Sequence, residues 1–170
     1  MSKLFLKSRR KNFVGIENWD TSRVTNMLSM FSGCKTFNED ISEWNVSNVV
    51  NMYAMFNRCE QFNQPIGKWD VSQVKFMRDM FCLCRSFNQD LSNWNVANVA
   101  DMVTMFNGCE SFNQDISGWD VSNVTDMSYM FTFCEKFNQD ISKWNVSNVI
   151  IQYGIFYHCP IKDEYKPKFK

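Results

Sequence analysis

The chain has one histidine, His158, and that scarcity removes much chemistry at once. A single imidazole supplies no His–Cys metal set and no Ser–His–Asp constellation. The 6 glycines form no phosphate-binding loop. Proline occurs 3 times, and no Pro- or Gly-rich linker divides the chain. No stretch is apolar and long enough to span a membrane. The opening "MSKLFLKSRRKN" lacks the apolar core of a signal peptide, and no cell-wall anchor motif ends the chain, which predicts a place in the cytoplasm or within a viral particle. Net charge is also absent, because 18 basic residues balance 18 acidic ones.

What is present is one sentence written again and again. "FNQDISGWDVSNVTDMSYMF" from Phe112 repeats "FNQDLSNWNVANVADMVTMF" from Phe87, 25 residues earlier. Trp19, Trp44, Trp69, Trp94, Trp119 and Trp144 keep that spacing of 25 without insertion. Phe31 to Phe156 and Cys34 to Cys159 do the same. A fixed period in this range marks stacked supersecondary units that bury their apolar faces against their neighbours. The expected organisation is a basic arm or cap over 1–12, a solenoid of five full units and a partial sixth over 13–159, and a charged tail over 160–170.

Within a unit, Val124, Met127, Met130, Phe131 and Cys134 fall at helical spacing. Ser122 or Asn123 supplies an N-cap and Asp126 a favourable first-turn charge. Next comes "KFNQDISKW", in which Phe137, Gln139 and Ile141 alternate with Asn138, Asp140 and Ser142, as along a strand. The predicted class is therefore an α/β repeat, a leucine-rich-repeat-like solenoid with one short strand and one short helix per unit. A purely β solenoid is the second choice, because the unit is short. The Phe, Ile, Val and Trp columns read as core and the Met columns as gap-fillers. Asn38, Asn63, Asn88, Asn113 and Asn138 read as amides bonded to backbone groups.

The string "VSNVTDMSYMFTFCEKFNQDISKW", Val121 to Trp144, resembles the BspA-like surface-protein repeats, a branch of the leucine-rich repeats that also occurs in giant viruses. The resemblance runs over about 13–159. It implies a solenoid whose surface binds proteins or serves adhesion, and it carries no catalytic residue.

The remaining candidates for chemistry have plainer readings. Six of the seven cysteines follow the repeat rather than a metal-ligand spacing, so the Cys column reads as small buried hydrophobes without disulfides. Cys82 stands outside the main column and reads as an exposed free thiol. Asp40, Asp90, Asp115 and Asp140 could suggest calcium, but Pro65 breaks the column and turn carboxylates explain it. No metal, cofactor, small-molecule substrate or catalytic residue is expected, and an enzyme is not. Residues 1–12 carry Lys3, Lys7, Arg9, Arg10 and Lys11 with no acid, while the body between arm and tail holds nine basic and sixteen acidic residues. An acidic body repels phosphate, so nucleic acid is an unlikely partner.

Function then falls to the variable columns. The third unit deviates most, with Pro65, Gly67, Lys75, Phe76, Arg78, Cys82, Leu83 and Arg85. The last unit reads "NVIIQYGIFYHCP", where Ile150 and Ile151 replace polar residues and Tyr153 and Tyr157 add aromatic surface. The expected function is non-enzymatic: a protein-binding or structural module that contacts a protein partner or itself. Its interaction residues would be Lys75, Phe76, Arg78, Leu83, Ile150, Ile151, Tyr153 and Tyr157. The alternative is an adhesin or surface antigen. The end unit needs a cover, either a partner or the tail folding back through Ile161, Tyr165 and Phe169, and the partner is the preferred expectation.

Overall fold

Two left-handed residues in every unit set the path of the backbone. One column, Ser29, Ala54, Asp79, Thr104, Tyr129 and Gly154, holds φ between 51° and 57°. A second, Gly33, Arg58, Leu83, Gly108, Phe133 and His158, holds φ between 51° and 82°. Each occupies the third position of a four-residue turn. The Met55 N–H closes one turn on the Met52 carbonyl around Ala54, and the Cys59 N–H closes another on the Phe56 carbonyl around Arg58. A positive φ at that position is the mark of a type II turn.

These turns replace the predicted helix. The computed structural model describes residues 1–10 and 12–169; Lys11 of the arm and Lys170 of the tail lie outside the described residues. Among those residues the only helical pieces are two single 3-10 turns, Ile16–Asn18 and Asp163–Tyr165. No strand forms either, only isolated parallel bridges linking Asn26, Asn51, Phe76, Asp101, Asp126 and Ile151 in succession. Neither the helix-and-strand solenoid nor the purely β alternative is what folds. A chain of three-residue steps mimics helical spacing: Val124 bonds back to Val121, Met130 to Met127 and Cys134 to Phe131. The intervening amides of Met127, Tyr129, Phe131 and Phe133 reach instead to Ile151, Tyr153, Ile155 and Tyr157. A left-handed residue every fourth position excludes the α-helix, which needs a continuous right-handed run.

The chain is thus a stack of coils, each one repeat long and bonded amide to carbonyl to the next. The stretch expected as a strand makes no ladder there. Its Asn amides go to side chains: Asn63 N–H donates to Asn38 Oδ1 at 2.8 Å, and Asn138 N–H to Asn113 Oδ1 at 3.0 Å. The Asn columns act as predicted, bonding backbone groups between coils.

Side-chain ladders fill the inside. Phe56 stacks on Phe31 and on Phe81 with centroids 5.9 and 5.8 Å apart. A parallel row runs through Phe62, Phe87, Phe112 and Phe137. The Met, Val, Ile and Trp columns are buried beside them. Buried polar atoms are all bonded among the described residues. Each thiol of the Cys column donates to a Phe carbonyl one coil back, as Cys84 Sγ does to Phe56 at 3.0 Å.

Both ends join the same pattern. The Met1 amino group and the amides of Lys3, Phe5 and Lys7 donate to the carbonyls of Asn26, Leu28, Met30 and Ser32. Lys3 and Lys7 are themselves left-handed, with φ of 56° and 53°. Phe5 stacks on Phe31 at 5.5 Å. The basic arm therefore adds a coil of its own. At the other end the tail folds back. Ile161 is buried, Tyr165 and Phe169 pack against the core, and the Tyr165 carbonyl accepts from Ile141 N–H at 3.0 Å. The tail covers part of that end, and Ile150, Ile151, Tyr153 and Tyr157 stay exposed beside it. None of the helices is long and apolar enough to cross a membrane.

Candidate interaction surface

The invariant columns are occupied by the fold itself. Trp94 Nε1 donates to the Ile66 carbonyl and Trp119 Nε1 to that of Leu91. Exposed carboxylates of the Asp columns close local turns: Asp40, Asp90, Asp115 and Asp140 each accept from the backbone N–H of the Ser two residues on. Backbone N–H groups of Ser42 and Ser92 first, and for Asp115 and Asp140 the hydroxyls of Ser117 and Ser142 first, hold these carboxyls below the usual carboxylate range. Among the described residues no three His, Cys, Asp or Glu side chains gather as metal ligands do.

What remains outside is the set of variable columns, and the structure divides the predicted interaction residues into two groups three coils apart. Lys75, Phe76 and Arg78 lie together on one coil. Phe76 is 46% exposed in the bridge column, where its neighbours one coil away are Asn51 and Asp101. The Arg78 guanidinium sits 3.7 Å from Asp101 Oδ2. Leu83 is less available than expected. It is half-buried, and its Cδ2 lies 2.6 Å from where a Cβ on Gly108 would stand. It covers that glycine.

The second group is more exposed. Ile150, Tyr153 and Tyr157 are 81%, 69% and 58% accessible, and Ile151 is 40%. Three further aromatic side chains join them. Tyr129 and Phe133 are exposed. Phe133 stacks on His158 with centroids 4.9 Å apart, and Tyr157 meets His158 edge-on at 4.2 Å. The lone histidine is a surface residue of the last unit, as expected, but it belongs to an aromatic cluster. Tyr129, Phe133 and His158 occupy the two left-handed columns. The turn geometry brings the three outward together.

Pro65 and Gly67 make the one irregularity in the Asp–Ser columns. Pro65 offers no carboxylate to the Gly67 N–H, although the Trp69 N–H still closes the turn on the Ile66 carbonyl, and a groove of about 590 Å³ lies between Pro65, Lys68, Asp70, Gln89 and Asn93. A Cβ on Gly67 would stand 2.4 Å from the Asp90 carbonyl oxygen, so the close approach requires glycine.

Cys82 departs from its expected exposure. It is half-buried, and burial, aided by the Asp79 charge, pushes its thiol up to about 12. A thiol held that high is a poor nucleophile at neutral pH.

A family described as "Mycoplasma protein of unknown function, DUF285" matches residues 1–110 and 90–164. The chain belongs to this family. The match includes residues 1–12, in keeping with their place as a coil of the stack. No curated protein matches the chain. Among solved structures, a leucine-rich repeat protein of T. pallidum is similar, with 13% identity, a TM-score of 0.38, and 91% of this chain and 76% of that one covered.

Proposed function

We propose that this DUF285 member is a non-enzymatic protein-binding module whose partner docks on the exposed edge of the coils. The observation that carries this reading is the cluster of Tyr129, Phe133, Tyr157 and His158, held exposed in variable columns. Aromatic residues are what protein interfaces enrich, and they anchor partners at low entropic cost. Lys75, Phe76 and Arg78 extend the same edge. The columns that repeat without change are used up inside the fold, so the reading rests on the variable ones. The BspA-like resemblance of Val121–Trp144 supports the same reading, since such repeats present their surfaces to other proteins.

The experiment is affinity capture with the wild type and with a Tyr129→Asp/Phe133→Asp variant, followed by mass spectrometry. The reading expects at least one protein captured by the wild type and lost in the variant, with the melting temperature unchanged. Identical captured sets would overturn it.

A further inference from the structure

The bonds along the left-handed turns all run one way between coils, while a sparser set runs the other way, as Lys75 N–H to the Val50 carbonyl and Ser86 N–H to that of Glu60. Amides of Met27, Ser29, Phe31 and Gly33 donate to carbonyls of Asn51, Tyr53, Met55 and Asn57, and every later junction repeats this. On the last coil the equivalent amides are those of Gln152, Gly154, Phe156 and His158. Among the described residues they donate to no one. On the first coil the equivalent carbonyls are those of Ser2, Leu4 and Leu6, and they accept from no one among the described residues. One end of the stack presents a row of donors and the other a row of acceptors. Both rows step by two residues, so their pitch along the chain is the same.

Apolar side chains flank both rows. Ile151 and Tyr153 are 40% and 69% exposed at the donor end; Leu4 and Leu6 are 52% and 39% exposed at the acceptor end. The folded-back tail leaves the donor row accessible, because Gln152, Gly154 and His158 stay exposed. An uncovered row of backbone groups beside apolar surface is a template for another chain.

We propose that copies of this chain stack end to end, the Gln152–His158 row of one on the Ser2–Leu6 row of the next. Gly154, Phe156 and His158 N–H groups would donate to the carbonyls of Ser2, Leu4 and Leu6. A second copy is the occupant because residues 3–7 already bond the neighbouring coil as coil amides do, through Lys3, Phe5 and Lys7, so bonding sense and spacing match those of successive coils inside the chain. The contact is heterologous, so it propagates as an open linear series rather than closing into a dimer. It uses the end faces and shares only His158 with the lateral edge assigned above to a protein partner, the backbone N–H here and the ring there.

Sedimentation velocity over a concentration series tests this on the 170-residue chain. Wild type should populate successive multiples of 20.1 kDa as concentration rises. Leu6→Asp blocks one face and Ile151→Asp the other, and each alone should be monomeric. Mixed in equal amounts they should give a one-to-one dimer and nothing larger, because each keeps the face the other lacks. A monomeric wild type at high micromolar concentration sinks the proposal, whether or not the variants fold. So does a Leu6→Asp variant that associates like wild type, which would mean a symmetric contact through the Tyr153 side. The Tyr129→Asp/Phe133→Asp variant should still assemble, so a failure here leaves the lateral-edge reading standing, and the reverse.

Discussion

Trp94 Nε1 donates to the carbonyl of Ile66 at 3.1 Å, across 28 residues of sequence. The same bond recurs at every coil, from Trp44 to Ile16 through Trp144 to Ile116. The indole thus fills the core and ties one coil to the last. Trp94→Ala should cost about 3–5 kcal/mol, the range for removing a buried large aromatic. Trp94→Phe keeps most of the volume but strands the Ile66 carbonyl, and should cost about 1–3 kcal/mol. Changes at Lys75 should stay within about 0.5 kcal/mol. Denaturant melts compare all three, and equal effects at Trp94 and Lys75 would contradict the ladder.

Arg58 holds φ at 61° on the surface, in a column where Gly33 and Gly108 do the same. A left-handed residue with a Cβ costs about 1–2 kcal/mol, offset in part by the greater chain entropy of glycine. Arg58→Gly should therefore stabilise by about 0.5–1 kcal/mol and raise the melting temperature by about 1–4 °C. Gly108→Ala should do the opposite, because its φ is 71° and the new Cβ would meet Leu83. Calorimetry on the pair decides whether the left-handed columns are strained as described.

Gly67→Ala places a Cβ against the backbone oxygen of Asp90, which cannot rotate away. We expect a loss of roughly 1–3 kcal/mol as the two coils are forced apart, comparable to overpacking elsewhere in proteins. A melting temperature equal to wild type would show that the coils at Pro65 are free to separate.

Stability should have an acid and an alkaline shoulder. Backbone N–H groups of Ser42 and Ser92 hold Asp40 and Asp90 below the usual range, and chiefly the hydroxyls of Ser72 and Ser117 do so for Asp70 and Asp115. Folded carboxyls with lowered pKa add stability above the ordinary Asp value of about 3.9, and it is lost as pH falls below that through the folded values. Burial pushes the thiols of Cys59, Cys84, Cys109 and Cys134 upward. Their contribution is present below the ordinary thiol value of about 8.5 and is lost as pH rises past it, because only the unfolded chain then releases the proton. Melting temperatures should form a plateau between these limits and fall on both sides; a continuous rise from pH 7 to 10 would reverse the sign assigned to the thiols.

The same burial predicts slow labelling. At pH 8 a disulfide reagent should find no fast thiol in the native chain, Cys82 included, since its pKa is pushed up to about 12. In denaturant all 7 cysteines should react. A single rapid native equivalent would identify Cys82 as activated.

The periodicity determined a great deal. Equal spacing of Trp, Phe and Cys announced a stack, and burial of those columns follows from apolar identity alone. Asn columns announced bonds between units, because an amide repeated beside a core must find a backbone partner. What a single unit does was not legible. Val124, Met127, Met130 and Cys134 satisfy helical spacing, yet consecutive tight turns present the same residues inward. The choice between them lies in where the alternate amides go, and those of Met127 and Tyr129 find carbonyls a whole coil away. Local propensity argues against left-handed Tyr129 and Phe133, so only the energy of stacking against both neighbours holds them there. Tertiary structure alone therefore decided the turns, the aromatic cluster they turn outward, and the direction of the bonds that leaves donors at one end and acceptors at the other.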